Sequence, residues 1–339
     1  TDDDFSGKQF NVVTYTGNGS TQNIENLGFK PDLIWIKERS SGTSANHKLV
    51  DSNRGVHKAF ESNNSGVEGD DTSGVTAFGT DGFSLGSDAN YNQSSQTYVA
   101  WCWRCNGATT SSDSSGDITV TRQTNDAAKF SILTYTGNGS SAQTVGHGLG
   151  VEPDFIIAAP LDSSGSNKVS WIRGLTFSGS SSQFLKLNTD AAAATSGQFE
   201  NVSSSLITIG GNANLSGKST VLYCWANVEG FQKFGTYEGN GNADGTFVYT
   251  GFRPRMLFTK NIDGTGGWRV RDTARDTHNP SDTILWWDLS QQEYSNSAYS
   301  IDILSNGFKL RTSSGDFNAS NTWAFGAWGD VSFKYNNTF

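Results

Sequence analysis

The sequence predicts an all-β protein built as three tandem antiparallel β-sandwich modules, and two observations carry that prediction. The first is a set of strand-like phrases that recurs three times in the same order, the mark of a repeat architecture. The second is composition: of 339 residues only 35% are hydrophobic, yet 10 Trp, 21 Phe and 10 Tyr stand beside 39 Gly. Disordered chains are poor in large aromatics because they have no core to place them in. Short aromatic strands separated by small polar turns fit both facts.

The opening phrase is a strand that ends at an Asn-Gly pair, whose residues tolerate the positive φ of a tight reversal. It reads Phe10-Asn-Val-Val-Thr-Tyr-Thr-Gly-Asn-Gly-Ser20, then Phe130-Ser-Ile-Leu-Thr-Tyr-Thr-Gly-Asn-Gly-Ser140, then the shorter Phe234-Gly-Thr-Tyr-Glu-Gly-Asn-Gly-Asn242. Next comes a proline-led apolar run: Gly28-Phe-Lys-Pro-Asp-Leu-Ile-Trp-Ile-Lys37, Gly150-Val-Glu-Pro-Asp-Phe-Ile-Ile-Ala158 and Gly251-Phe-Arg-Pro-Arg-Met-Leu-Phe-Thr-Lys260. Proline suits the first position of a strand, where no ladder donor is needed, and the continuous apolar run places the strand mid-sandwich. Asp81-Gly-Phe-Ser-Leu85 and Asn306-Gly-Phe-Lys-Leu310 form a further shared strand.

Each copy closes on a strand whose large and small residues alternate, as on two faces of a pleated sheet. These are Asn92-Gln-Ser-Ser-Gln-Thr-Tyr-Val-Ala-Trp-Cys-Trp103, Asn214-Leu-Ser-Gly-Lys-Ser-Thr-Val-Leu-Tyr-Cys-Trp225 and Asn318-Ala-Ser-Asn-Thr-Trp-Ala-Phe-Gly-Ala-Trp328. The resulting organisation is a module over 1–107, a Ser/Thr/Gly-rich linker over 108–129 with a short strand expected at 118–121, a second module over 130–230, and a third over 231–339 that includes a C-terminal tail. The second and third copies join almost directly at 228–233, a rigid junction. Helix is expected only as single turns at 190–194 and 290–294.

Charge and composition narrow the function. A formal charge of −9 and a pI near 4.9 leave no basic face to neutralise phosphates, which argues against nucleic-acid binding. No segment approaches the ~20 apolar residues of a membrane span. The first residues, Thr1-Asp2-Asp3-Asp4-Phe5, show no apolar signal-peptide region. Three cysteines, Cys102, Cys105 and Cys224, make no disulfide framework and indicate synthesis in a reducing cytoplasm.

Catalytic and metal chemistry finds little support. Cys102-Trp-Arg-Cys105 has zinc or redox spacing, but no second ligand pair exists and the motif ends a strand rather than opening a helix. Cys102 aligns with the lone Cys224, which marks a small core position. His47, His57, His147 and His278 do not recur between copies and are expected on surfaces and loops. Asp70-Asp71 and Asp272/Asp276 read as solvated turns or local ion pairs rather than a glycosidase pair. Calcium is conceivable at the oxygen-rich Asp81, Asp88, Asn90 and Asn92, but no calcium motif is present, so no cofactor is expected. Asp51/Arg54 and Asp272/Arg275 occupy one position in copies one and three and are expected as structural loop anchors through an Arg–carboxylate fork. Trp35, Trp101, Trp103, Trp225, Trp323 and Trp328 lie on repeated strands and are assigned to the core. Trp171, Trp268, Trp286 and Trp287 lie off those strands, and Trp268, Trp286 and Trp287 are the candidate ligand-binding aromatics.

These phrases resemble a repeat domain of tailed-bacteriophage virion proteins of the marine and cyanophage type, which often stands beside concanavalin- or laminin-G-like modules. The resemblance rests on Tyr15-Thr-Gly-Asn-Gly19, Gly28-Phe-Lys-Pro-Asp32, Asp51-Ser-Asn-Arg-Gly55, Thr97-Tyr-Val-Ala-Trp-Cys-Trp103, Arg275-Asp-Thr-His-Asn-Pro280, Ser305-Asn-Gly-Phe-Lys-Leu-Arg-Thr-Ser-Ser314 and the ending Phe333-Lys-Tyr-Asn-Asn337. The second copy departs most: its Trp171-Ile-Arg-Gly174 keeps only the arginine and glycine of the Asp-x-x-Arg-Gly phrase, and it reads as a spacer. The resemblance implies jelly-roll or lectin-like sandwiches in a non-enzymatic virion structural protein assembled in the host cytoplasm. It implies a fibre or spike component that contacts a host surface glycan or protein, with a capsid decoration protein as the alternative and a glycan depolymerase behind both. Other virion proteins and further copies of the chain are the expected partners.

Overall fold

The computed structural model describes residues 6–40 and 44–329. The acidic start and the 333–337 ending lie outside them. The fold is all-β and antiparallel throughout, with helix confined to single short turns.

Each copy pairs a large sheet with a three-stranded cover sheet. In the large sheet the closing strand (Thr97–Trp103, Ser219–Trp225, Thr322–Gly329) lies between the opening strand (Phe10–Thr16, Phe130–Thr136, Gln232–Glu238) and the proline-led strand (Leu33–Glu38, Phe155–Pro160, Pro254–Asn261). Beyond the proline-led strand lies a strand ending at the Arg–carboxylate position, here called the fork strand (Lys48–Asp51, Val169–Ile172, Arg269–Asp272). The register is identical in all copies, since Leu33, Phe155 and Met256 lie opposite Trp103, Trp225 and Trp328 on one side and Asp51, Ile172 and Asp272 on the other.

The central closing strand is covered on both faces, which explains its alternation. Tyr98, Ala100 and Cys102 face the cover sheet, while Val99, Trp101 and Trp103 face inward to the molecular centre. There the three copies meet in one aromatic core. Trp103, Trp225 and Trp328 form a triangle with ring centroids 6.0, 5.9 and 5.4 Å apart, each pair steeply inclined in the edge-to-face manner aromatic quadrupoles favour. Phe10, Phe130, Phe155, Phe234 and Phe258 surround it. The copies are therefore not beads on a string: each large sheet buries one face only against the other two. The second copy, expected as a spacer, supplies Trp225, Phe130 and Phe155 to this core.

Segment 108–129 is likewise more than a linker. It contributes strands Ser111–Asp113 and Val120–Asn125, the latter paired with the opening strand of copy two. The segments 190–194 and 290–294 are not helical. Each lies on the next copy around the ring, where one of its N–H groups, that of Ala193 or Glu293, donates to the carbonyl of Ile262 or Arg39. Helical turns lie instead at Ser6–Lys8 and Ser297–Tyr299, and one short helix falls just before each closing strand, at Ala89–Asn92, Gly211–Asn214 and Gly315–Asn318.

Those helices explain two repeated phrases together. Buried Asn92, Asn214 and Asn318 each accept a hydrogen bond from the backbone N–H of Asn18, Asn138 and Asn240, at 2.9, 2.9 and 3.0 Å. Each returns one to that residue's Oδ1, at 3.1, 2.9 and 3.0 Å. The preceding glycine must be a glycine: a Cβ on Gly17, Gly137 or Gly239 would lie 2.2, 2.4 or 2.0 Å from the carbonyl oxygen of Gln93, Leu215 or Ala319. Replacing Asn214 by Ala strands buried polar groups and is expected to cost about 1–3 kcal/mol, read as a lowered urea midpoint.

Candidate functional site

The residues singled out by recurrence turn out to close a ring with pseudo-threefold symmetry. Glu68, Ala193 and Glu293 are equivalent, as are Leu161, Ile262 and Arg39. The backbone N–H of each of the former donates to the carbonyl of the latter in the next copy, at 2.6, 2.8 and 2.8 Å in the order one to two, two to three, three to one.

The forks strengthen two of these three junctions. Arg54 Nε lies 2.5 Å from Asp51 Oδ2, Arg54 also pairs with Glu68, and Tyr223 of copy two donates its hydroxyl to Asp51 at 2.7 Å. Arg275 Nε lies 2.6 Å from Asp272 Oδ2 and its Nη1 lies 2.9 Å from Glu293. Asp272 accepts from the indole Nε1 of Trp101 in copy one at 3.0 Å, and Glu293 also pairs with Arg39 at 3.0 Å. Asp51, Arg54, Asp272 and Arg275 thus bind their own loop and the neighbouring copy at once.

Copy two replaces this assembly with apolar groups. The register puts Ile172 at the place of Asp51 and hence Leu175 at that of Arg54. Arg173 is therefore not the retained fork arginine; it pairs with Asp154 at 2.6 Å. The donor for the missing fork is gone too, because Gly326 stands where Tyr223 and Trp101 stand. A Cβ there would lie 2.2 Å from the Phe258 ring, so Phe258 and Phe234 fill that volume instead. Donor, carboxylate, arginine and second carboxylate are lost together, as expected for groups that satisfy one another in a buried site.

Two of the three proposed ligand tryptophans belong to the ring. Trp268 is fully buried and donates its Nε1 to Lys186 O of copy two at 2.9 Å. Trp287 is fully buried and stacks on Trp35 of copy one at 4.3 Å. Neither can meet a ligand, because two copies close over each. Trp286 remains half-buried beside Tyr294 and Tyr299, with ring centroids 6.1 and 6.3 Å away.

Two of the histidines expected on surfaces and loops lie on loops but are buried. His47 Nδ1 accepts from Trp35 Nε1 at 2.9 Å, so its Nε2 carries the proton and donates to Trp286 O of copy three at 2.7 Å. His147 accepts from Leu149 N–H and faces Ser203 O at 3.1 Å. Burial lowers both pKa values, that of His147 to about 4. The folded values lie below the free value of about 6.5, so the neutral rings stabilise the fold fully above that pH and lose the contribution as pH falls toward 4. The melting temperature is expected to drop between pH 6.5 and 4, and less steeply in His147→Gln.

The cysteines are buried and unpaired, and burial pushes the thiols of Cys102, Cys105 and Cys224 up, away from reactivity. Oxygens considered for calcium are engaged in the chain: Asp88 caps Asn90 N–H, Asp81 accepts from Gly28 N–H, and Asn92 clasps Asn18. Among the described residues no cluster of three His, Cys, Asp or Glu side chains could hold a metal ion.

With the recurrent residues absorbed by architecture, departures from the repeat mark the candidate site. On and next to the first strand of the cover sheet, the positions facing away from the core are Asn23 and Glu25 in copy one and Thr144 and Gly146 in copy two, the last covered by Asp113 and Ser115. In copy three they are Phe247 and Tyr249, 43% and 58% exposed. They flank a cleft of about 290 Å³ between the edge strands of the two sheets, lined also by Lys233, Gly235, Tyr237 and Phe325. The Lys233 ammonium lies 5.2 Å from the Tyr249 ring centroid, a cation–π contact. Periodicity could not reveal this cleft, because the aromatic residues of a two-residue-period strand read equally as core; only the register of copy three against copies one and two exposes them.

A family profile covers residues 5–331, nearly the whole chain. The chain belongs to the family described as a domain of unknown function, DUF7483. No curated protein and no solved structure matches it. The single profile spans all three copies, in keeping with one shared core.

Proposed function

We propose that the protein is a non-enzymatic structural protein of a tailed-phage virion, a surface-displayed fibre or spike component whose third copy contacts a host surface glycan or protein. The observation that supports this reading is the exposed Phe247 and Tyr249 pair at the Lys233 cleft, in the copy where the repeat is broken. Flat aromatic faces stack on sugar rings or fill partner pockets at low entropic cost. The ring behind them is held by apolar burial and paired charges, a rigid mount for such a surface. Glycan-array binding and blocking of phage adsorption by the purified chain test the reading. Phe247→Ala/Tyr249→Ala is expected to reduce binding at least tenfold with an unchanged melting temperature. Equal binding by the variant, or no binding by the original chain, counts against it.

The pseudo-threefold outline favours a second reading, a decoration protein seated on a threefold site of the head shell. Imaging of the virion distinguishes the two by the place of the density.

A further inference from the structure

The inner face of copy three departs from the others in a second way. Its fork strand carries Arg269 and Arg271 toward the cover sheet, where copy one has Lys48 and Val50. Lys48 is neutralised by Glu61 and Asp71 at 2.8 and 3.0 Å. The corresponding positions in copy three are Trp286 and Asn296, which carry no charge. Arg269 and Arg271 are only 6% and 2% exposed, yet neither has a carboxylate within ion-pair distance among the described residues.

Hydrogen bonding leaves the same gap. Arg271 gives one bond, Nη1 to Ser281 O at 2.8 Å. Arg269 Nε and Nη1, Arg271 Nη2, Thr259 Oγ1 and Tyr237 Oη are buried without partners. Thr259 lies directly across from Arg269 in the ladder and on the same face, where copy one has Ile36. The equivalent tyrosines of the other copies are satisfied: Tyr15 donates to Tyr91 O at 2.8 Å and Tyr135 to Ala213 O at 2.6 Å. Aromatic rings wall the two guanidiniums, Tyr299 at 5.5 Å from Arg269 and Phe317 at 5.0 Å from Arg271. Asp276, Asp288 and Asp316 face them only at longer range, and burial lowers the pKa of both arginines, that of Arg271 to about 9.

An uncompensated buried charge costs several kcal/mol, and two adjacent ones repel as well. A neighbouring oxyanion relieves both terms, and the guanidinium fork matches its geometry. We infer that Arg269 and Arg271, with the hydroxyls of Thr259 and Tyr237, form an oxyanion site between the two sheets of copy three that takes a carboxylate, sulfate or phosphate group. The loop at Gly266 borders the site, since a side-chain Cβ there would fall 3.4 Å from Arg269 Nη1.

The test is equilibrium dialysis of the full chain with radiolabelled sulfate, repeated with phosphate and with a glucuronate oligosaccharide as competitors, beside thermal melts in sulfate against chloride at equal ionic strength. One sulfate per chain, displaced by phosphate, is expected, with a melting temperature that rises saturably with sulfate. Arg269→Met/Arg271→Val, which copies the apolar face of copy one at position 271, is expected to lose uptake, to lose the sulfate-specific rise, and to melt higher than the original chain in chloride. Uptake of the oligosaccharide alone supports the site and assigns its source to an acidic saccharide. Uptake of neither probe by the original chain overturns the inference, and so does a variant whose sulfate uptake equals that of the original. Binding at this site is separable from the cleft reading, because Phe247→Ala/Tyr249→Ala leaves it intact.

Discussion

Trp225→Ala is expected to destabilise all three copies together, by about 3–5 kcal/mol, in a single unfolding transition. Trp225 touches both Trp103 and Trp328 and is flanked by Phe130 and Phe155, so its removal opens a cavity at the one point every copy shares. A Trp side chain buries roughly 150–250 Å² of mostly apolar surface, and close-packed surroundings recover only part of the lost contact. Differential scanning calorimetry with near-ultraviolet circular dichroism reads the outcome. Independent modules joined by linkers would show a shifted transition for copy two beside unshifted ones for copies one and three, and that pattern would refute the shared core.

Arg275→Met is expected to cost about 3–5 kcal/mol, because it leaves Asp272 buried and uncompensated while Glu293 loses one of its two arginines. The paired change Asp272→Ile/Arg275→Leu, which installs the residues copy two uses at those positions, is expected to recover most of that loss. A residual cost of about 1–3 kcal/mol remains, because Trp101 Nε1 then loses its acceptor. Urea unfolding of the single and double variants decides: a double variant no more stable than Arg275→Met would show that the fork is not the unit that copy two exchanged for apolar packing.

Much of the architecture was legible in the sequence. The Asn-Gly reversals, the proline-led apolar runs and the alternating closing strands are local signals, set by backbone conformation and two-residue periodicity. The apolar and alternating runs lie on strands as read, with the Asn-Gly pairs just past strand ends, although only Pro254 opens its strand and Pro31 and Pro153 stand two residues before theirs. Asp51/Arg54 and Asp272/Arg275 were legible as ion pairs for the same reason, since the partners in each stand at i and i+3. Their second role was not, because Tyr223 and Trp101 are more than 160 residues away in the chain. Trp268 and Trp287 were misassigned because a tryptophan off the repeated strands looks free until the neighbouring copy is placed over it. Position 173 misled by composition: an arginine before a glycine resembled the fork, and only the ladder register shows that Leu175 holds that place.

Turn chemistry and alternation are written in adjacent residues, and they suffice to specify an all-β chain with three copies of one strand order. The tertiary structure alone decided that the copies close into a ring around three tryptophans. It also decided that copy two is a full member of that ring, and that Phe247, Tyr249, Arg269 and Arg271 are where copy three departs from it. The physical reason is that burial and charge compensation are properties of what surrounds a residue. In a threefold repeat those surroundings come from distant parts of the same copy or from another copy, more than 160 residues away in the case of the forks.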